Sequence, residues 1–217
     1  MSNQPKVCKR KNLLNILLIV ILVICYLIGS VQNGILLSKI FYKLDIRNFG
    51  SKSTGATNVN RVLGVKPGII VLILDILKGL IPILILRIFL DNEIIPILAS
   101  CSIVIGHCFP LYHKFKGGKG VATGFGSVIL HLPIIIVVLI PSLPIIYISK
   151  YVSLGSVIGS FLSIILILYL VLTNNISGDY LYIGLIIPSI ILFKHYQNIK
   201  RLINKTESKI SFTNGSK

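Results

Sequence analysis

Acidic residues are what this chain lacks. Six Asp and Glu stand against 22 Lys and Arg in 217 residues, a formal net charge of +16, and only 13% of the residues are charged at all. A soluble globular domain carries roughly a quarter charged residues, so that class is excluded. Cysteine is also sparse: Cys8, Cys25, Cys101 and Cys108 form no CxxC pair, and Cys25 and Cys101 fall inside apolar runs, where a thiol behaves as a small hydrophobe. Neither a disulfide framework nor a zinc site follows. His107 and His113 flank Cys108, but the spacing matches no metal-ligand pattern, so no metal and no cofactor are expected. What is abundant is apolar: 54% of the chain, with a mean hydropathy of +0.89. Such a chain is an integral membrane protein, whose positive charge collects in short loops at one face. The partners this implies are membrane lipid and an anionic substrate rather than nucleic acid.

The first apolar run, Leu13–Val31, is longer than the roughly 7–15 residues of a signal-peptide core and no A-x-A-like cleavage site follows it, so it reads as a retained transmembrane helix. Further spans are predicted over Gly68–Leu90, Ile94–Phe109, Val152–Thr173 and Tyr180–Phe193. The run Val121–Lys150 would measure roughly 45 Å as a single helix, against a hydrocarbon core of about 30 Å. Pro133 divides it into Val121–Leu132 and Pro133–Lys150. The result is an all-α polytopic bundle of about seven transmembrane helices forming one domain, with residues 1–12 and 208–217 as flexible tails. Placing the basic loops Lys39–Lys66 and His113–Lys119 with the basic tail on the cytoplasmic face puts the N-terminus outside and the C-terminus inside, although the four basic residues before Leu13 oppose that orientation.

Four stretches carry chemistry. In LDILKG, Asp75 and Lys78 lie three residues apart on one helical face, either as a structural ion pair or as a brace for the preceding loop. That loop, DIRNFGSKSTGATNVNRVLG, combines turn-forming glycines with Ser51, Ser53, Thr57, Asn58, Arg47 and Arg61, the donors by which proteins hold phosphate. FKGGKGVATG repeats the pattern with Gly117, Gly118 and Lys119. It is no Walker A loop, since Gly120 follows the lysine, but it opens onto a helix N-terminus that favours anions. In the tail, His195, Asn198 and Arg201 share a helical face, which is equally the pattern of an interfacial amphipathic helix.

These residues resemble a known family, the bacterial acyl-phosphate:glycerol-3-phosphate acyltransferases, small polytopic enzymes of phospholipid synthesis. The segments GS at 29–30, DIRNFGSKSTGATNVNRVLG, LDILKG, GHCFPLYHKFKGGKGVATGFG, YVSLGS and HYQNIKRL occur in family order across nearly the whole chain. The resemblance implies seven transmembrane helices with the motifs meeting at the cytoplasmic face of a bacterial plasma membrane. It also implies acyl transfer from acyl phosphate to the 1-hydroxyl of sn-glycerol 3-phosphate, giving lysophosphatidic acid and inorganic phosphate. Ser51, Arg61, Lys119, His195 and Asn198 match the family's catalytic positions, with Ser30, Ser53, Thr57, Asn58, His107, Gly117 and Gly118 as substrate or phosphate contacts. The chain departs from the family at Lys52 and Ser53, where GSGN is usual, at Gln32 (proline), at Tyr196 (arginine) and at Lys205 (glycine). The competing class is a transporter or channel for an anion, which would place its ionisable groups near the bilayer midplane.

Overall fold

The computed structural model describes residues 4–211, with side chains from Asn15 onward. Among these residues there are ten α-helices and no strand. In hydrocarbon every backbone N–H and C=O must pair within its own segment, which is why the Leu- and Ile-rich runs are helical. Helices α1 (Gln4–Ser30), α4 (Val65–Phe89), α5 (Ile94–Cys108) and α8 (Val152–Leu172) agree with four of the expected spans to within three residues, except that α1 extends back to Gln4. Four stretches, 15–42, 65–89, 94–113 and 152–172, are long and apolar enough to cross a membrane. Helix α5 is central and mostly buried, whereas α1, α4 and α8 turn much of their surface outward. That surface is apolar: Phe89 is 78% and Leu172 79% exposed.

The run Val121–Lys150 does break as expected, though earlier. Helix α6 covers only Val121–Val128, a turn follows, and a 3-10 stretch over Pro133–Val138 leads into α7 (Leu139–Ser149). Pro133 lacks a backbone N–H and drives Leu132 out of helical geometry, to φ −137°. Eight residues rise roughly 12 Å, so α6 alone is too short to cross a core of about 30 Å. The last predicted span is likewise not a plain helix. A π turn at Tyr182–Ile186 precedes α9 (Ile187–Lys194). Pro188 has no N–H to offer the Gly184 carbonyl, and the usual i→i−4 ladder gives way there.

Above the bundle lies a polar cap. Helices α2 (Asn33–Tyr42) and α3 (Ala56–Leu63) fold over a small core of Ile35, Ile46, Val59 and Val71. Beyond α10 (Tyr196–Ile203) the chain returns to the cap, and the Ile210 N–H donates to the Lys150 carbonyl at 2.9 Å. Thus residues 208–211 of the expected tail lie against the bundle and residues 4–12 continue α1, while residues 1–3 and 212–217 lie outside the described residues.

Candidate active site

The loop before α3 is organised around Asn58. Its amide donates to the carbonyls of Ile46, Phe49 and Ser53 at 3.3, 3.1 and 2.8 Å, and its Oδ1 accepts the Ser51 N–H at 2.8 Å. Asn58 therefore shapes the loop that presents Ser51 and Ser53. Arg47 is engaged as well: its Nε and terminal nitrogen bond to both oxygens of Asp45, at 2.9 and 2.6 Å. Of the loop's two arginines, Arg61 is the one that faces the cavity.

The glycine-rich strap is fastened by Gly118, whose N–H donates to the His107 carbonyl at 3.1 Å, and a Cβ on Gly118 would collide with the His107 ring. Gly120, at φ +85°, then turns the chain into α6. Lys119 stands between them. Burial pushes its ammonium down to about 8, with Arg201 and Arg61 adding to the effect and Glu207 opposing it. Among the described residues it has no hydrogen-bond partner within the chain.

The tail supplies the remaining groups. His195 is 1% exposed, and its Nδ1 donates to the Ile191 carbonyl at 2.8 Å, which leaves Nε2 with a lone pair. Burial, reinforced by the neighbouring Lys119 charge, pushes it down to about 4. Asn198 donates to Glu207 Oε1 at 2.7 Å, as does Ser153 at 2.9 Å, and Arg201 donates to Oε2 at 2.7 Å. Arg61 reaches Oε1 at 3.9 Å and donates to the carbonyls of Ser208 and Lys209 at 2.5 and 3.4 Å. Burial alone would raise the Glu207 carboxyl, but the three hydrogen bonds outweigh it and hold the group lowered.

Beneath the rim is a closed polar network. Lys78 lies 3.3 Å from Asp75, so the expected pair forms, and its ammonium donates to the Val31 carbonyl at 2.6 Å and to His107 Nδ1 at 2.9 Å. Asn33 completes the set with a 2.9 Å bond to Asp75. An ammonium only donates, so His107 Nδ1 is the acceptor and Nε2 carries the proton. Alongside, Gln32 accepts from the Thr54 hydroxyl at 2.6 Å and donates to the His107 carbonyl at 3.1 Å.

A cavity of ≈570 Å³ starts among Ser51, Arg61, Lys119, His195 and Glu207 and continues between α4, α6, α7, α8 and α9. A smaller polar hollow of ≈300 Å³ adjoins it at Ser51, Lys52, Arg61, Arg201 and Glu207. The inner walls are apolar in effect although four serines line them. Ser142, Ser156, Ser160 and Ser163 each donate to the carbonyl one turn back, at 2.7–2.9 Å. The site is thus a cationic mouth on a greasy recess, able to hold an anionic headgroup and an attached hydrocarbon together.

Residues 19–205 match the family described as glycerol-3-phosphate acyltransferase. This chain belongs to that family. A glycerol-3-phosphate acyltransferase of Finegoldia magna is 42% identical over 195 residues, covering 89% of this chain and 96% of its own. One from Listeria monocytogenes serotype 4a is 40% identical over 200 residues, covering 90% and 98%. Among solved structures, PlsY, an integral membrane glycerol 3-phosphate acyltransferase, superposes with a TM-score of 0.81 in its glycerol 3-phosphate form. There it is 33% identical over 89% of this chain and 96% of that one. Its lysophosphatidic acid form gives 0.77 at 32% identity.

In this acyltransferase, Ser51, Ser53, Thr57, Arg61, Lys119 and His195 all line the main cavity, and His107 reaches its wall. Asn198 stands one residue back, behind Glu207. Ser30 lies outside the site: its hydroxyl donates to the Tyr26 carbonyl and accepts the Leu111 N–H, tying α1 to the segment after α5. Gly117 and Gly118 contribute backbone to the strap. The roles of two residues of the acyltransferase escaped the sequence reading. Glu207 is a single acid in a basic tail, and that contrast with its neighbours is the signal that marks it; Gln32 had no such signal, standing simply where the family usually has proline.

Proposed function

We propose that the enzyme transfers a fatty acyl group from acyl phosphate to the 1-hydroxyl of sn-glycerol 3-phosphate, yielding lysophosphatidic acid and inorganic phosphate, the first acylation of phospholipid synthesis. One observation carries this reading: the cations Lys119 and Arg61 stand at the mouth of a recess lined mostly by apolar side chains, with the serines of its inner wall donating back to their own helices. Headgroup and acyl chain both find their solvent there.

Acyl phosphate is a mixed anhydride and already activated, so positioning and charge neutralisation suffice. The glycerol hydroxyl oxygen attacks the acyl carbon, the new C–O ester bond forms, and the bond from that carbon to the phosphate oxygen breaks. Lys119 and Arg61 hold the two phosphates against their mutual repulsion and stabilise the departing one. Ser51 orients a phosphate oxygen, and Asn198 keeps Glu207 in line beneath the glycerol phosphate. The hydroxyl proton passes to a phosphate oxygen. His195 is a poor rival for that proton, because a group held at about 4 is far from the working pH a general base needs; its lone pair at Nε2 orients the hydroxyl instead.

The topology we read is seven membrane segments, the fourth of them made of the short α6 together with the turn up to Leu132, with the N-terminus outside, the C-terminus in the cytoplasm of a bacterium and the site at the cytoplasmic rim. Support comes from Arg61, on the first basic loop, which grips carbonyls of the basic tail, so both lie at one rim. A transporter for anions is disfavoured because the charges at depth, Asp75 and Lys78, satisfy one another. The test is formation of lysophosphatidic acid by purified protein given palmitoyl phosphate and glycerol 3-phosphate. Lys119→Ala should abolish it, and full turnover by that variant would remove the strap from the site.

A further inference from the structure

The cavity runs far deeper than the reacting groups require. On α8 the lining residues Ser153, Ser156, Ser160, Ser163 and Ile167 fall on one face, and Ser153 marks the polar end through its bond to Glu207. Fourteen residues separate Ser153 from Ile167, about 21 Å of helix. From the facing segment, His195, Ile191, Ile187 and Ile183 line the same cavity at every fourth residue. Those twelve residues span about 18 Å, again from polar rim to depth. The π turn at Tyr182–Ile186 ends this second stripe and sets Ile183 into the recess.

At the bottom the two stripes meet. Ile167 and Ile183 are 2% and 1% exposed and belong to one buried cluster with Val128 and Ile135. Helix α8 approaches so closely there that a Cβ on Gly184 would overlap the Ile167 side chain. On both stripes these two are the deepest residues that line the cavity.

We propose that Ile167 and Ile183 are the end stop that sets the longest acyl chain this enzyme accepts. The inference rests on the acyl-phosphate reading above. Carbon–carbon bonds of about 1.52 Å meeting at about 111° advance about 1.25 Å each in an extended chain. A recess of about 18–21 Å therefore takes roughly 14–17 such bonds, a chain of about 15–18 carbons. Small residues on α8 leave room for the chain along the way, and the first branched side chain on that stripe is Ile167 itself.

The test is a ladder of acyl phosphates, twelve to twenty carbons long, supplied to the full-length enzyme in lipid nanodiscs with glycerol 3-phosphate. In the unaltered enzyme, kcat/KM should fall at least tenfold between sixteen and twenty carbons, since a methylene with no pocket is rejected by about that factor. Ile183→Ala and Ile167→Ala should move the fall outward by two or three carbons. Ile167→Phe should move it inward, with the twelve-carbon substrate kept within about threefold as proof of an intact site. Ile183→Val, a one-methylene trim, gives the same outward shift in smaller measure where an alanine variant fails to fold. An unchanged ratio of the sixteen- to the twenty-carbon substrate in Ile183→Val and in every folded alanine variant overturns the stop and leaves the reaction intact. Absence of turnover at every length in the unaltered enzyme overturns the donor reading, and the stop with it.

Discussion

Asn198 donates to the Glu207 carboxylate at 2.7 Å, joining α10 to the segment that follows it at the mouth of the cavity. Around that one carboxylate gather Ser153, Arg201 and, at longer range, Arg61, so three elements distant in sequence are held by a single negative charge. Hydrogen bonds to a charged group contribute about 1.5–3 kcal/mol, and a buried cation left without its counter-charge costs more. Glu207→Gln should therefore lower thermal stability by about 2 kcal/mol and Glu207→Ala by more, read as a drop in melting temperature of the detergent-solubilised enzyme. Bound glycerol 3-phosphate should recover part of the loss, because it returns negative charge to the same cations.

His195 predicts a kinetic result and a stability result. Single-turnover rates of His195→Gln should fall by less than about tenfold, below the 10²–10⁴ that a general base contributes. A larger loss would make the imidazole the base.

The depressed value of His195 also has a sign in pH. Folded at about 4 and unfolded at its usual 6.5, the ring binds a proton in the unfolded chain first. Its neutral form thus favours the fold fully above pH 6.5, and that contribution is lost as pH falls from 6.5 towards 4, by up to about 3 kcal/mol. Melting temperatures across this window should decline less in His195→Gln than in the parent enzyme.

Lys119 titrates on the other side of neutrality. With its ammonium held at about 8, anion binding should weaken from pH 7 to pH 9 as the charge is lost. The KM for the phosphate substrates should rise about tenfold over that interval in the parent and far less in Lys119→Arg, whose guanidinium stays charged. Lys119→Ala should lose at least about 10²-fold in kcat, the scale seen on removing one charge-stabilising donor.

Two departures from the family have a backbone consequence. Lys52 and Lys205 sit at φ +57° and +56°, in the left-handed region, and both occupy positions where the family usually has glycine. The conformation costs a residue with a Cβ roughly 1–2 kcal/mol, part of which glycine gives back through its freer unfolded chain. Lys52→Gly and Lys205→Gly should each raise stability by about 0.5–1 kcal/mol. Denaturation midpoints of the single variants, which need not touch activity, check this.

Much of this architecture was legible in the sequence, and the exceptions have physical causes. Long apolar runs have one backbone solution in hydrocarbon, so Val65–Phe89, Ile94–Cys108 and Val152–Leu172 could be bounded to within three residues. Pro133 announced a break because a missing N–H is a local fact. The π turn before Pro188 has the same kind of cause, a missing N–H opposite the Gly184 carbonyl, but the early end of α6 at Val128 depends on packing against neighbours and carries no such local mark. The same division holds at the site. Lys119 and Arg61 stood out by residue type and loop composition and His195 through the resemblance of HYQNIKRL to the family, and all three line the cavity, whereas the engagement of Arg47 by Asp45, the scaffolding role of Asn58 and the place of Glu207 arise from contacts closed only in three dimensions. Gln32 shows the limit most clearly: its amide bridges Thr54 and the His107 carbonyl, 22 and 75 residues away.

The inward-turned serines of α7 and α8 have one more effect. Since Ser142, Ser156, Ser160 and Ser163 satisfy themselves on their own helices, the wall beside a hydrocarbon has no sticky points along its length. A chain lying there has no preferred resting register and meets little friction when it slides. Departure of the lysophospholipid is then governed by how firmly the rim grips its headgroup, and the same greased wall serves entry and exit alike.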